Sequence, residues 1–192
     1  MKTGIWLLGL GPLLWALQAG LSGGLGANPI EALLHFMGRW GLAFLLLSLA
    51  VTPLRRATGW NRFIRTRRLL GLFAFFYLTL HLLVYLVLDQ GLAWSFIWED
   101  VTKRPFITVG FASFLLLVPL AVTSTRGWIR RLGRRWRQLH RLVYPAAILG
   151  VVHFYWKVKA DTFWPLVAGG ILALLLLARI RWTPAQKKMG GG

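Results

Sequence analysis

Three histidines, His81, His140 and His153, lie in or at the edge of apolar runs long enough to cross a bilayer, in a chain of 192 residues without cysteine. An imidazole in hydrocarbon is costly unless it has a partner, so histidines at such positions are candidates for a functional site. A neutral ring nitrogen can ligate a metal, and a chain of rings can relay protons. A fourth, His35, stands at the start of another apolar run near Arg39 and reads as a surface or substrate-contact residue.

The elements that position these rings follow from composition. The chain is 57% hydrophobic, with 11 Trp and 12 Phe, too apolar for one soluble domain around one core. A helix needs about 20 apolar residues to cross roughly 30 Å of hydrocarbon. Six runs qualify: Ile5 to Gly20, Leu34 to Leu54, Leu69 to Leu88, Phe106 to Ser124, Gln138 to Trp156 and Phe163 to Ile180. With 23 Lys+Arg against 5 Asp+Glu, the net charge is +18. The placement of that charge points to a membrane and not to nucleic acid. Arg55, Arg56, Arg62, Arg65, Arg67 and Arg68 separate the second and third runs; Arg126, Arg130, Arg131, Arg134, Arg135 and Arg137 separate the fourth and fifth; Arg181, Lys187 and Lys188 follow the sixth. Glu31, Asp89, Glu99, Asp100 and Asp161 all fall in the alternate connections. The positive-inside rule then predicts an all-α integral membrane protein, a six-helix bundle with both termini cytoplasmic. Cleaving the first run as a signal peptide would put the arginines that follow on the wrong side, so it reads as a retained span. One domain is expected over 1–182, with a short cytoplasmic tail over 183–192. The basic, Trp-containing stretch Thr125 to Arg137 reads as a helix lying on an anionic lipid surface.

Depth decides which histidines can share a ligand. His81 lies 13 residues past Arg68 and His153 lies 16 past Arg137, about 20 and 24 Å along helices entering from the same side. The two rings are thus expected at similar heights in the outer half. There a flat macrocycle can be clamped through its iron between the third and fifth helices. Helical steps back from His81 give Leu78, Ala74 and Gly71; from His153 they give Gly150 and Ala146. Small residues on this stripe leave room for a flat ring, and equally let bare helices approach each other. His140 lies about 20 Å further in and suits a second haem stacked below, but an ideal helix turns it roughly 140° away from His153. Sharing one cofactor column would require a distortion, for which Pro145 is placed.

Arg65-Thr66-Arg67-Arg68-Leu69-Leu70-Gly71-Leu72, Leu80-His81-Leu82, Gln138-Leu139-His140-Arg141-Leu142-Val143-Tyr144 and His153-Phe154-Tyr155-Trp156-Lys157-Val158-Lys159 together closely resemble the YedZ/MsrQ family. Gly23-Gly24-Leu25-Gly26-Ala27 and His35-Phe36-Met37-Gly38-Arg39 extend the likeness over nearly the whole chain. That family comprises haem-binding membrane subunits of a periplasmic methionine sulfoxide reductase, within the ferric-reductase-like transmembrane group. The resemblance implies one or two b-type haems, an association with flavin mononucleotide (FMN), and placement in the bacterial inner membrane. It also implies electrons taken from the quinone pool or a cytosolic flavin reductase and delivered to a molybdenum-containing (molybdopterin) periplasmic subunit. His81, His140 and His153 match the family's histidines. The wider group carries two histidines on each of two helices, whereas 14 residues before His81 this chain has Arg67, whose planar fork suits a haem propionate or a flavin phosphate.

Without cysteine, covalent haem attachment and thiolate ligation are excluded. No Gly-rich dinucleotide fingerprint follows a strand, and no serine or carboxylate is placed to pair with a buried histidine. An electron-transfer subunit is therefore the first expectation; a stand-alone ferric or quinone reductase and a small proton-coupled transporter are the alternatives. The Leu21 to Leu33 and Asp89 to Arg104 connections are the candidate docking loops.

Overall fold

The computed structural model describes residues 2–61, 64–158 and 160–180. Arg62, Lys159, Arg181, Lys187, Lys188 and the tail over 183–192 lie outside the described residues.

Among the described residues the fold is helical: α1 (Lys2–Leu21), α2 (Pro29–Thr58), α3 (Ile64–Leu83), α4 (Trp94–Lys103), α5 (Pro105–Val122), α6 (Arg126–Leu132), α7 (Arg134–Leu139), α8 (Val143–Lys157) and α9 (Phe163–Ile180). By length and composition, four stretches can cross a membrane, Gly4–Leu21, Pro29–Thr58, Thr66–Asp89 and Pro105–Val122, and Phe163–Arg179 is a shorter apolar helix. These four spans fall on the first four of the six expected runs, and the shorter apolar helix falls on the sixth.

Local chemistry sets the boundaries. At the start of α2, Asn28 accepts from the Glu31 N–H at 3.2 Å, and Pro29 fills a position where no N–H is needed. Its end is closed by Gly59 at φ +72°, whose N–H donates to the Arg55 carbonyl at 2.9 Å. After α3 the chain widens into a π-helical turn over Val84–Asp89.

Three expectations about local structure change. The Asp89 to Arg104 connection holds α4, a ten-residue helix whose Ile97 is buried while Trp94, Phe96 and Trp98 are exposed. The basic stretch after α5 is two short helices, because Gly133 breaks it at φ +49°, ψ −116°, a region costly to any residue with a Cβ. The fifth apolar run is not one helix from Gln138. It passes from α7 through a 3-10 turn at His140–Leu142 into α8, which has 15 residues, about 22 Å. Pro145 lies in the first turn of α8, where its missing N–H is tolerated, so it marks a helix start and kinks nothing.

Two helix pairs, α2 with α3 and α5 with α8, form the centre, and the others pack around them. Phe44, Phe73 and Tyr77 stack between α2 and α3, with Phe44 5.5 Å from each of the other two rings. Tyr77 is fully buried, and its hydroxyl donates to the Gly9 carbonyl at 2.6 Å, tying α1 to α3. Arg179 of α9 donates to the Leu49 carbonyl at 2.6 Å and to the Tyr144 hydroxyl, fastening α9 to α2 and α8.

Candidate functional site

His81 and His153 lie next to each other edge-on, with ring centroids 6.1 Å apart and planes 77° to one another. Each ring is fixed in the same way. His81 donates from Nδ1 to the Leu34 carbonyl at 2.9 Å, and His153 from Nδ1 to the Phe106 carbonyl at 2.7 Å. A carbonyl only accepts, so both rings carry their proton on Nδ1 and keep the lone pair on Nε2. A hydrogen bond at Nδ1 also raises the basicity of the opposite nitrogen and fixes its aim.

The helix opposite each ring is pared down to make room. A Cβ at Gly38 would stand 3.0 Å from His81 Nδ1, and one at Gly110 would stand 2.7 Å from His153 Nδ1. The approach at Gly110 is closer than real Cβ contacts and that at Gly38 is tighter than most, so glycine is what lets α2 and α5 pass against the rings. These two residues were not singled out from the sequence. The signal was available: Leu34, Gly38 and His81 recur 72 residues on as Phe106, Gly110 and His153. In space the two sets make the same hydrogen bond and the same close approach. The central pairs are thus two matching hairpins, each supplying one imidazole. The correspondence continues one turn further in with roles exchanged. Gly41 lies under Leu78 in the first hairpin, while Ser113 meets Gly150 in the second, at 2.6 Å and 3.5 Å from the respective glycine Cβ positions.

The small residues of the expected stripe therefore stand in different surroundings. Ala74 is buried in the core, Gly150 lies against Ser113 and Leu42, and Gly71 has open space where a side chain would be.

His140 is placed apart from this pair. Thr123 donates its one hydroxyl proton to the Pro119 carbonyl at 2.6 Å, so at the 3.1 Å contact it must accept from His140 Nε2. The ring also stacks on Trp136 at 3.9 Å, and the Trp136 indole donates to the Thr123 carbonyl at 2.9 Å. At the same end of the other hairpin, Arg67 donates to the Thr52 hydroxyl at 3.4 Å. At the opposite end, His35 is half-buried beside Lys157 and Glu31, closer to the paired rings than a surface position implied.

The donor set fits a metal held mainly by a macrocycle. Among the described residues no three His, Cys, Asp or Glu side chains converge on one point. His81 and His153 would supply two imidazole nitrogens, the number of protein ligands a porphyrin iron can take. With a metal–imidazole bond of about 2.0–2.1 Å and roughly 1.2 Å from ring centre to nitrogen, two rings sharing one metal stand about 6.4 Å apart. The 6.1 Å observed is close to that value.

Comparison with known proteins gives the family. The family described as ferric reductase like transmembrane component matches residues 37–151, which include His81, His140, Gly38 and Gly110 and end two residues before His153. A protein of Rhodospirillum rubrum named protein-methionine-sulfoxide reductase heme-binding subunit MsrQ is 57% identical over 94% of this chain and 86% of its own length. Proteins of the same name from Xanthomonas euvesicatoria pv. vesicatoria and Caulobacter vibrioides are 53% and 49% identical over 89% and 92% of this chain, and over 78% and 84% of their own lengths. No solved structure matches.

Proposed function

This chain belongs to the MsrQ family, within the ferric reductase like transmembrane components, and we propose that it is the haem-binding membrane subunit that supplies electrons to a protein-methionine-sulfoxide reductase. The observation that carries the reading is the His81–His153 pair, two rings with centroids 6.1 Å apart, near the separation of imidazoles that share an iron, each with its tautomer set by a backbone carbonyl. Bound there, a b-type haem supplies a one-electron relay. The protein's part is to hold two neutral Nε2 atoms at fixed spacing, to keep Nδ1 protonated, and to hold the neighbouring helices close through Gly38 and Gly110.

In this reading six segments cross the bacterial inner membrane with both termini cytoplasmic, supported by the alternation of arginine-rich and acidic connections. His81 and His153 then lie toward the periplasm, where the molybdopterin-containing partner would accept electrons. His140 and Arg67 lie toward the cytoplasm, where the quinone pool or a flavin reductase would deliver them. A second haem or FMN at that inner end rests on the family resemblance and on Arg67, a donor suited to a propionate or phosphate.

The test is the reduced-minus-oxidised absorption spectrum and haem content of the purified full chain, beside His81→Ala, His153→Ala and the double variant. The expected result is a low-spin haem spectrum that the single variants lose while retaining helix content. Full haem retention in the double variant overturns the assignment. A colourless wild-type protein with normal helix content would point instead to histidines that relay protons in a transporter.

A further inference from the structure

Immediately outward of the two paired rings lies a polar group that iron ligation does not use. Lys157 follows His153 by one helical turn on the same face of α8, and His35 directly follows Leu34, whose carbonyl orients His81. The Lys157 ammonium contacts His35 Nε2. Lys157 and His35 are both within electrostatic reach of His81, and Lys157 of His153 as well. Arg39, one turn along α2, adds positive charge beside His35.

Asp89 reaches Lys157 electrostatically, and the nearest acid, Glu31, is only loosely engaged. Glu31 Oε1 stands 3.8 Å from Lys157 Nζ and 3.9 Å from His35 Nε2. Its other oxygen accepts from Asn28 Nδ2 at 3.1 Å, as part of the cap that starts α2. Two nitrogen groups thus crowd together with no carboxylate oxygen at full hydrogen-bonding distance. Lys157 is also about one-third exposed at a helix end otherwise rich in apolar side chains. Such an arrangement is short of one close anion.

We propose that Lys157 and His35 hold the carboxylate side chains of the porphyrin bracketed by His81 and His153, an inference that rests on the haem reading above. The inner guanidiniums cannot take that role. Arg67 lies 14 residues before His81, about 21 Å along the helix, well beyond the reach of a propionate on a ring centred between the two imidazoles. Lys103 and Arg104, further cations toward this end, are paired with Glu99 and Asp100 at 2.6 and 3.1 Å, while Arg39 adds its charge beside His35. Held by Lys157 and His35, the porphyrin would have its acidic edge turned outward and its apolar edge turned toward the core.

The test uses the purified full chain stripped of haem and reconstituted with protohaem or with its dimethyl ester, which lacks the negative charges. Haem loss to an acceptor protein and the midpoint potential are measured for wild type, Lys157→Met, His35→Leu and Lys157→Arg. With protohaem, Lys157→Met and His35→Leu are each expected to speed haem loss about tenfold, the effect of one lost charge-assisted hydrogen bond. The potential should fall in Lys157→Met because a positive charge near the iron is gone, and Lys157→Arg should restore both properties. With the dimethyl ester, wild type and Lys157→Met should lose haem at the same rate. Equal protohaem loss and equal potential across all four proteins, with wild type showing a bis-imidazole spectrum, would overturn this proposal and leave the haem reading standing. Failure of wild type to bind either haem would overturn both.

Discussion

Gly110→Ala adds one methyl group, and its effect can be worked out from the contact it meets. The new Cβ would lie 2.7 Å from His153 Nδ1, about 0.7 Å inside the 3.4 Å at which ordinary contacts begin. His153 cannot swing aside freely, because the same nitrogen donates to the Phe106 carbonyl at 2.7 Å, one turn earlier on the same helix. Relief therefore requires the ring to leave its hydrogen bond or α5 to move away from α8. Overpacking costs about 1–3 kcal/mol and the hydrogen bond about 0.5–1.5 kcal/mol, against a gain of about 0.5–1 kcal/mol from replacing a helical glycine by alanine. The net expectation is a loss of about 1–3 kcal/mol, seen as haem affinity weakened roughly tenfold to hundredfold. Gly38→Ala, with its approach of 3.0 Å to His81, should behave alike but more mildly. Gly170→Ala on α9 meets nothing within 4 Å and serves as the control, expected to leave haem binding unchanged. The assay is haem titration of the stripped protein, read beside thermal unfolding of the haem-free form. Wild-type haem affinity in Gly110→Ala, or an equal loss in Gly170→Ala, would refute the argument that glycine is there to admit the ring.

Two further outcomes concern the packing that holds the site. Tyr77→Phe removes the hydroxyl that ties α3 to the Gly9 carbonyl and should lower stability by about 1 kcal/mol while loosening α1, which protease accessibility of α1 in detergent would report. Arg179→Met and Tyr144→Phe should each destabilise. Because the guanidinium both bonds to the tyrosine and stands 5.1 Å from its ring centroid, a double-mutant cycle in thermal unfolding should give a coupling of about 0.5–2 kcal/mol, and strict additivity would count against that contact.

Much of this protein is legible in its sequence. Apolar run length predicted the long helices, because a backbone in hydrocarbon must satisfy its own hydrogen bonds. The matched depths of His81 and His153 predicted that the two rings meet, since a fixed rise per residue turns sequence distance into height. Periodicity failed where a single residue decides the backbone. Gly133 splits the surface helix through a φ that only glycine adopts readily, and Pro145 starts α8 late, so that His140 lies in a 3-10 turn and the rotation expected of an ideal helix does not apply.

The sequence by itself determined the class of structure, the spacing of the two ligand-type histidines and the asymmetry of charge, because each depends on residue type and distance along the chain. Only the tertiary structure decided what touches those histidines. The carbonyls of Leu34 and Phe106, the cut-away at Gly38 and Gly110, and the approach of Lys157 to His35 all join residues tens of positions apart or more. Such contacts depend on how four helices rotate and slide against one another. That choice is made by the summed packing of many side chains, and no single segment encodes it.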